Sequence, residues 1–102
     1  LAAQTLFWQA EAYSRIRSWK QAEVNYKRFI ESSGAIGMSE FGQAHYGLGY
    51  LYFENGKYDD AINWFRKFTD GETKDIERLT DGYLRIGDSY YLQKKTQPAI
   101  TY

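Results

Sequence analysis

Four residue types return along this chain at an interval of 38 or 39 positions, and that recurrence restricts the fold more tightly than any other feature. A small residue stands at Ala10, Gly49 and Gly87, steps of 39 and then 38. Alanine keeps the same rhythm at Ala22, Ala61 and Ala99, tyrosine at Tyr13, Tyr52 and Tyr90, and an aromatic ring at Tyr26 and Phe65. Self-similarity at such a period marks a row of stacked supersecondary units rather than one irregular core.

The middle unit shows what is repeated. Phe41, Ala44, His45, Leu48, Gly49 and Tyr52 follow the three-and-four spacing of one face of a helix, and Tyr58, Ala61, Ile62, Phe65 and Phe68 resume it after Asn55-Gly56. Two such stripes joined by so short a break can bury each other only by folding back antiparallel, with Gly56 as the left-handed residue ending the first helix. Upstream, Ala3, Leu6, Ala10 and Tyr13 face Trp19, Ala22, Tyr26, Phe29 and Ile30, with a turn near Arg17-Ser18. Gly34 closes that hairpin and a loop runs on to Met38, where Ser39 is expected to cap the next helix. Downstream, Thr73 or Asp75 caps a helix with the stripe Ile76, Leu79, Tyr83, Ile86, Gly87 and Tyr90; Lys94-Lys95-Thr96 is expected to turn, and Pro98 to open a last helix. The expected organisation is one all-α segment, 1–102, with units near 1–34, 39–71 and 75–102, the last incomplete. Because it starts at Leu1 and stops within a new amphipathic pattern, the chain reads as a piece of a larger protein.

Composition removes several function classes. With 13 basic and 13 acidic residues there is no net field to recruit nucleic acid or an anionic membrane. No apolar run approaches the roughly 18 residues that a spanning helix needs. The absence of cysteine excludes disulfides, thiolate zinc sites and cysteine nucleophiles. Ten tyrosines suit helices packed through large amphipathic rings.

Leu48-Gly49, Tyr52, Ala61 and Phe65 in the middle unit, Ile86-Gly87, Tyr90 and Ala99 in the last, and Ala10, Tyr13, Ala22 and Tyr26 in the first resemble the tetratricopeptide repeat. The resemblance implies a right-handed α-α superhelix of antiparallel hairpins that binds protein and has no catalysis or cofactor of its own. His45 and Leu6 stand where the family often has tryptophan, no proline closes a repeat, and the period exceeds the usual 34 or so. The extra residues fall between hairpins, at Ser33 to Met38 and Asp70 to Lys74. Lengthened repeats of this kind resemble those of bacterial cell-envelope proteins, the Tol-Pal-associated coordinators and the lipoproteins of outer-membrane assembly. That implies a periplasmic or envelope location, with the cytoplasm as the alternative.

In a stacked array the first helix of each hairpin needs a second apolar face, and Tyr46, Tyr50 and Phe53 supply it, with Phe7 and Ser14, and Leu84 and Tyr91, at matching positions. The resemblance implies that this face lines a concave groove. Phe7, Glu11, Tyr46, Tyr50, Phe53, Leu84, Asp88 and Tyr91 are the expected partner-binding residues, with Gln4, Gln43 and Asp81 at the rim. If Tyr46 and Tyr50 serve only the groove, alanine at both leaves the fold intact. The lysines and asparagines with which some relatives grip an acidic tail are missing, since Phe7, Tyr46, Leu84, Glu11, Tyr50 and Asp88 occupy those positions. An aromatic floor with carboxylates at Glu11, Asp81 and Asp88 favours an apolar or mildly basic segment. Self-association through open repeat ends and carbohydrate binding on the tyrosine-rich face are the alternative readings.

No constellation points to chemistry. Asp81 and Asp88 share a helix face, but Arg85 lies one turn from Asp81, as for an ordinary ion pair. His45 is the sole histidine and falls on a core stripe, with no second ligand type near it to hold a metal. Gly47-Leu48-Gly49 follows no strand, and close helix contact explains it better than a nucleotide loop.

Overall fold

A computed structural model describes residues 2–71 and 74–96, among which there are five α-helices, one 3-10 turn and no strand. The helices are α1 (Ala3–Arg15), α2 (Trp19–Ile30), α3 (Glu40–Glu54), α4 (Tyr58–Gly71) and α5 (Ile76–Thr96), and the 3-10 turn spans Ala35–Gly37. α1 lies against α2, α3 against α4 and α4 against α5, while α3 touches all four other helices. The result is an all-α solenoid of helical hairpins with extents of 53 × 29 × 20 Å. Thr73 and the helix expected from Pro98 lie outside the described residues.

The two hairpin turns are superimposable in their bonding. Ser18 N–H donates to the Tyr13 carbonyl and Lys57 N–H to the Tyr52 carbonyl, each at 2.9 Å. Arg17 N–H and Gly56 N–H bond the Ser14 and Phe53 carbonyls, each at 3.1 Å. This closes the last turn of α1 and α3 with a left-handed residue, at φ 62° for Arg17 and 74° for Gly56. Glycine adopts that conformation freely; arginine occupies it under steric protest.

Three local expectations are corrected. Ser39 has helical backbone angles and makes no capping bond; its hydroxyl turns to Glu40, and the segment before it winds into the 3-10 turn instead of a plain loop. Asp75 does cap α5, its carboxylate accepting the Arg78 N–H at 3.1 Å. Lys94 and Lys95 continue α5 rather than turning the chain. Lys94 is the counterpart of Gly56 but is a good helix former with no ease in the left-handed region.

Two glycines let helices approach. A methyl group on Gly49 would lie 2.6 Å from the Phe65 ring within the second hairpin, and one on Gly47 would lie 2.6 Å from the Tyr26 ring of the preceding hairpin. The core therefore runs unbroken from Leu6 and Phe7 through Tyr26 and Phe29 to Leu48 and Phe65. α5 joins it through only part of the expected stripe, with Ile86 packed against the core. Gly82 meets Thr69 and Phe68 of α4, whereas Ile76 and Tyr83 of the expected stripe are 64% and 60% exposed. The helix has two apolar sides, and α4 takes only one of them.

Candidate functional site

The hairpin packing decides which of the expected face residues reach solvent. Phe7 packs on Tyr26 and Phe29 at centroid distances of 6.2 and 5.6 Å, and 39 positions later Tyr46 packs on Phe65 and Phe68 at 6.0 and 5.0 Å. The same hole receives both rings. Phe7 is completely buried there and offers nothing to a partner, which corrects its expected place on the face. Tyr46, being a tyrosine, sends a hydroxyl out of the same hole.

That hydroxyl is held by another hairpin. Tyr46 and Tyr50 both donate to the Asp81 carboxylate of α5, 35 and 31 residues away. Asp81 in turn faces Arg85 at 3.4 Å, and Arg85 reaches Asp88 at 2.8 Å while lying 5.9 Å over the Phe53 ring. Burial raises the pKa of Asp81, but the bonds from Tyr46 and Tyr50 and the charge of Arg85 outweigh it, so the carboxyl titrates below its ordinary value. Burial and the adjacent carboxylate push Tyr50 up to about 12 and Tyr46 higher still. Tyr46, Tyr50, Asp81, Arg85 and Asp88 thus form a clasp between α3 and α5. Alanine at Tyr46 and Tyr50 would open that clasp and cannot be neutral for the fold.

Beside the clasp, between α1, α2 and α3, opens a cavity of about 260 Å³ lined by Glu11, Trp19, Tyr26, Gln43, Tyr46, Gly47, Tyr50, Leu51, Glu54 and Arg78, with Ser14. The Tyr26 ring is buried, and its hydroxyl donates to Glu11 and accepts from Ser14. Burial, with Glu11 adding to it, raises that hydroxyl far above its ordinary pKa, so it stays a neutral donor. Arg78 is paired with Asp75 at 2.6 Å and lies 5.8 Å over the Tyr46 ring.

Of the residues expected on the face, Glu11, Gln43, Tyr46 and Tyr50 line this cavity. Phe53 is half-buried against Tyr50 and Tyr58, and Asp81 and Asp88 belong to the clasp. Leu84 and Tyr91 stand apart on α5, 57% and 60% exposed, and Gln4 is exposed on α1. Trp19, Glu54 and Arg78 were not anticipated. Trp19 reads as part of a core stripe, and nothing in a helical wheel reveals that Glu54 and Arg78, from different hairpins, border one opening.

His45 is half-buried between Phe41 and Trp64, its Nδ1 2.7 Å from the Phe41 carbonyl oxygen. Burial lowers its pKa, the bond to Phe41 pulls the other way, and the charge of Lys67 lowers it further. Among the described residues no three His, Cys, Asp or Glu side chains converge as a metal site would require. None of the described helices is long and apolar enough to cross a membrane.

Comparison with protein families matches residues 42–69 and residues 81–102, each to a model described as Tetratricopeptide repeat. The two matches support the tetratricopeptide repeat family. The first covers the α3–α4 hairpin and the second begins in α5 at Asp81, so the clasp joins one matched repeat to the next. No curated protein and no solved structure matches the chain. Tetratricopeptide repeats generally mediate protein–protein interaction and are typically non-catalytic scaffolds.

Proposed function

We propose that this chain is a non-catalytic interaction segment that holds an extended stretch of a partner protein across the face of α1, α3 and α5, with the cavity beside Tyr46 and Tyr50 as its principal contact. The observation that carries this reading is the cavity itself: an opening walled by tyrosine, tryptophan and leucine with a few polar groups, the composition of a recognition site. Its walls belong to α1, α2 and α3, with Arg78 from α5, helices already fixed by the core and the clasp, so little ordering opposes binding. The lengthened period keeps the resemblance to envelope proteins in force as a proposal for location, which fractionation of the native host would test.

Peptides selected on the immobilised chain from an unbiased display library provide the test. Gln43→Trp, which puts a bulky ring on the lining of the cavity, is expected to abolish their capture without altering the circular dichroism spectrum. Undiminished capture by that variant would place binding elsewhere. The exposed side of α5, with Ile76, Tyr83, Leu84 and Tyr91, favours a second reading, self-association. Light scattering across concentrations tests it, and a constant monomer mass would reject it.

A further inference from the structure

We propose that the cavity between the first two hairpins receives an arginine side chain of the partner segment; this rests on the reading of that cavity as the partner-binding site. Charge complementarity favours this occupant. Sequence spacing alone offers Glu11, Asp81 and Asp88 as the carboxylates of the face, but both aspartates share ion pairs with Arg85, and Asp81 is further occupied by two tyrosine hydroxyls. Glu11 and Glu54 remain. Both line the cavity, and neither has a basic partner among the described residues, since Glu11 is met only by the neutral hydroxyl of Tyr26. Arg78, the one cation on the lining, is engaged by Asp75. The opening therefore holds two carboxylates that make no ion pair among the described residues, set among aromatic rings.

A partner cation satisfies both features. A planar guanidinium stacks on aromatic faces and bonds carboxylates through a fixed fork, and it sheds water more readily than an ammonium group. Guanidinium groups already lie over rings of this face, Arg78 over Tyr46 and Arg85 over Phe53. An acidic segment would instead meet Glu11 and Glu54, with the one cation of the lining, Arg78, already paired with Asp75.

Peptides selected from the same unbiased library are sequenced and titrated by calorimetry. The expected result is a shared arginine whose replacement by alanine weakens binding about tenfold or more, as loss of a charge-assisted bond in a partly enclosed site should. Glu54→Gln and Glu11→Gln are each expected to weaken the arginine peptide several-fold and to leave its alanine version unchanged. Glu54 is exposed and bonded to nothing described, and glutamine at position 11 still accepts the Tyr26 hydroxyl, so both variants fold. Selected peptides without a cation, or variants that bind the arginine peptide as tightly as the unsubstituted chain does, would overturn the proposal. Equal binding of a lysine version would overturn its guanidinium part. In each of those cases a block by Gln43→Trp would leave the broader interaction reading standing, whereas binding indifferent to Gln43→Trp would bring down both.

Discussion

Replacing Asp81 with alanine probes the clasp between α3 and α5. The substitution strips the Tyr46 and Tyr50 hydroxyls of their acceptor and leaves Arg85 with Asp88 alone. A hydrogen bond to a charged group is worth about 1.5–3 kcal/mol, but the Asp81 side chain retains 29% exposure and the freed hydroxyls can turn toward water, so the lower end applies. Two such bonds give an expected loss of about 2–3 kcal/mol, read as a lowered urea midpoint, with Tyr50→Phe losing about 1 kcal/mol and a coupling of similar size in the double-mutant cycle. The acid limb carries a second signature. Because the folded pKa of Asp81 lies below its ordinary value of 3.8, its stabilisation is complete above that value and is lost as the pH falls through the folded value. Asp81→Ala should remove this component, making the variant less stable than wild type at neutral pH but converging with it as the pH falls below the folded value. A loss under about 0.5 kcal/mol at neutral pH, or a difference that persists in acid, would show that the clasp does not hold the hairpins together.

Arg17→Gly should stabilise the chain by about 1 kcal/mol in thermal or urea unfolding, because Arg17 sits at φ 62° where Gly56 sits at 74°; a neutral or destabilising result would mean that the arginine's contact with Trp19 outweighs the strain. Gly49→Ala should lower stability by about 1–3 kcal/mol by driving a methyl into Phe65, whereas Gly87→Ala, at the same repeat position but with no described atom within 4 Å, should raise it by up to about 1 kcal/mol. Like signs for the two would refute the packing account. For His45, burial depresses the folded pKa below 6.5, so stability is full above that pH and declines as the pH falls toward the folded value. His45→Gln should flatten that decline, and an unchanged slope would remove His45 as its source.

Patterns that involve one helix or one hairpin were legible in the sequence. The stripes located α1 to α4, Gly56 announced its turn, and Gly47-Leu48-Gly49 was correctly read as close helix contact. Arg17 fell at the expected turn, but only coordinates reveal that arginine takes up glycine's backbone conformation there. Contacts between hairpins were not legible. A helical wheel shows the ion pair of Asp81 with Arg85, but not that Tyr46 and Tyr50 arrive from α3 to bond the same carboxylate, nor that Arg85 also holds Asp88. Phe7 was placed on the face by its register with Tyr46. The register is right, and the ring occupies the equivalent hole, but phenylalanine lacks the hydroxyl that lets tyrosine reach out of it. On α5, the regular stripe Ile76, Leu79, Tyr83, Ile86, Gly87 and Tyr90 found part of the buried side, since Ile86 packs on the core, but missed Gly82 and Ser89, which are buried while Ile76, Tyr83 and Tyr90 are exposed.

The central claim is that a partner segment lies in the opening between the first two hairpins. Amide chemical-shift mapping of the chain with a library-selected peptide tests it most directly. The account predicts that the largest shifts cluster at Gln43, Gly47, Tyr50, Leu51 and Glu54. Shifts concentrated instead at Val24 and Asn63, on the exposed sides of α2 and α4, would contradict it.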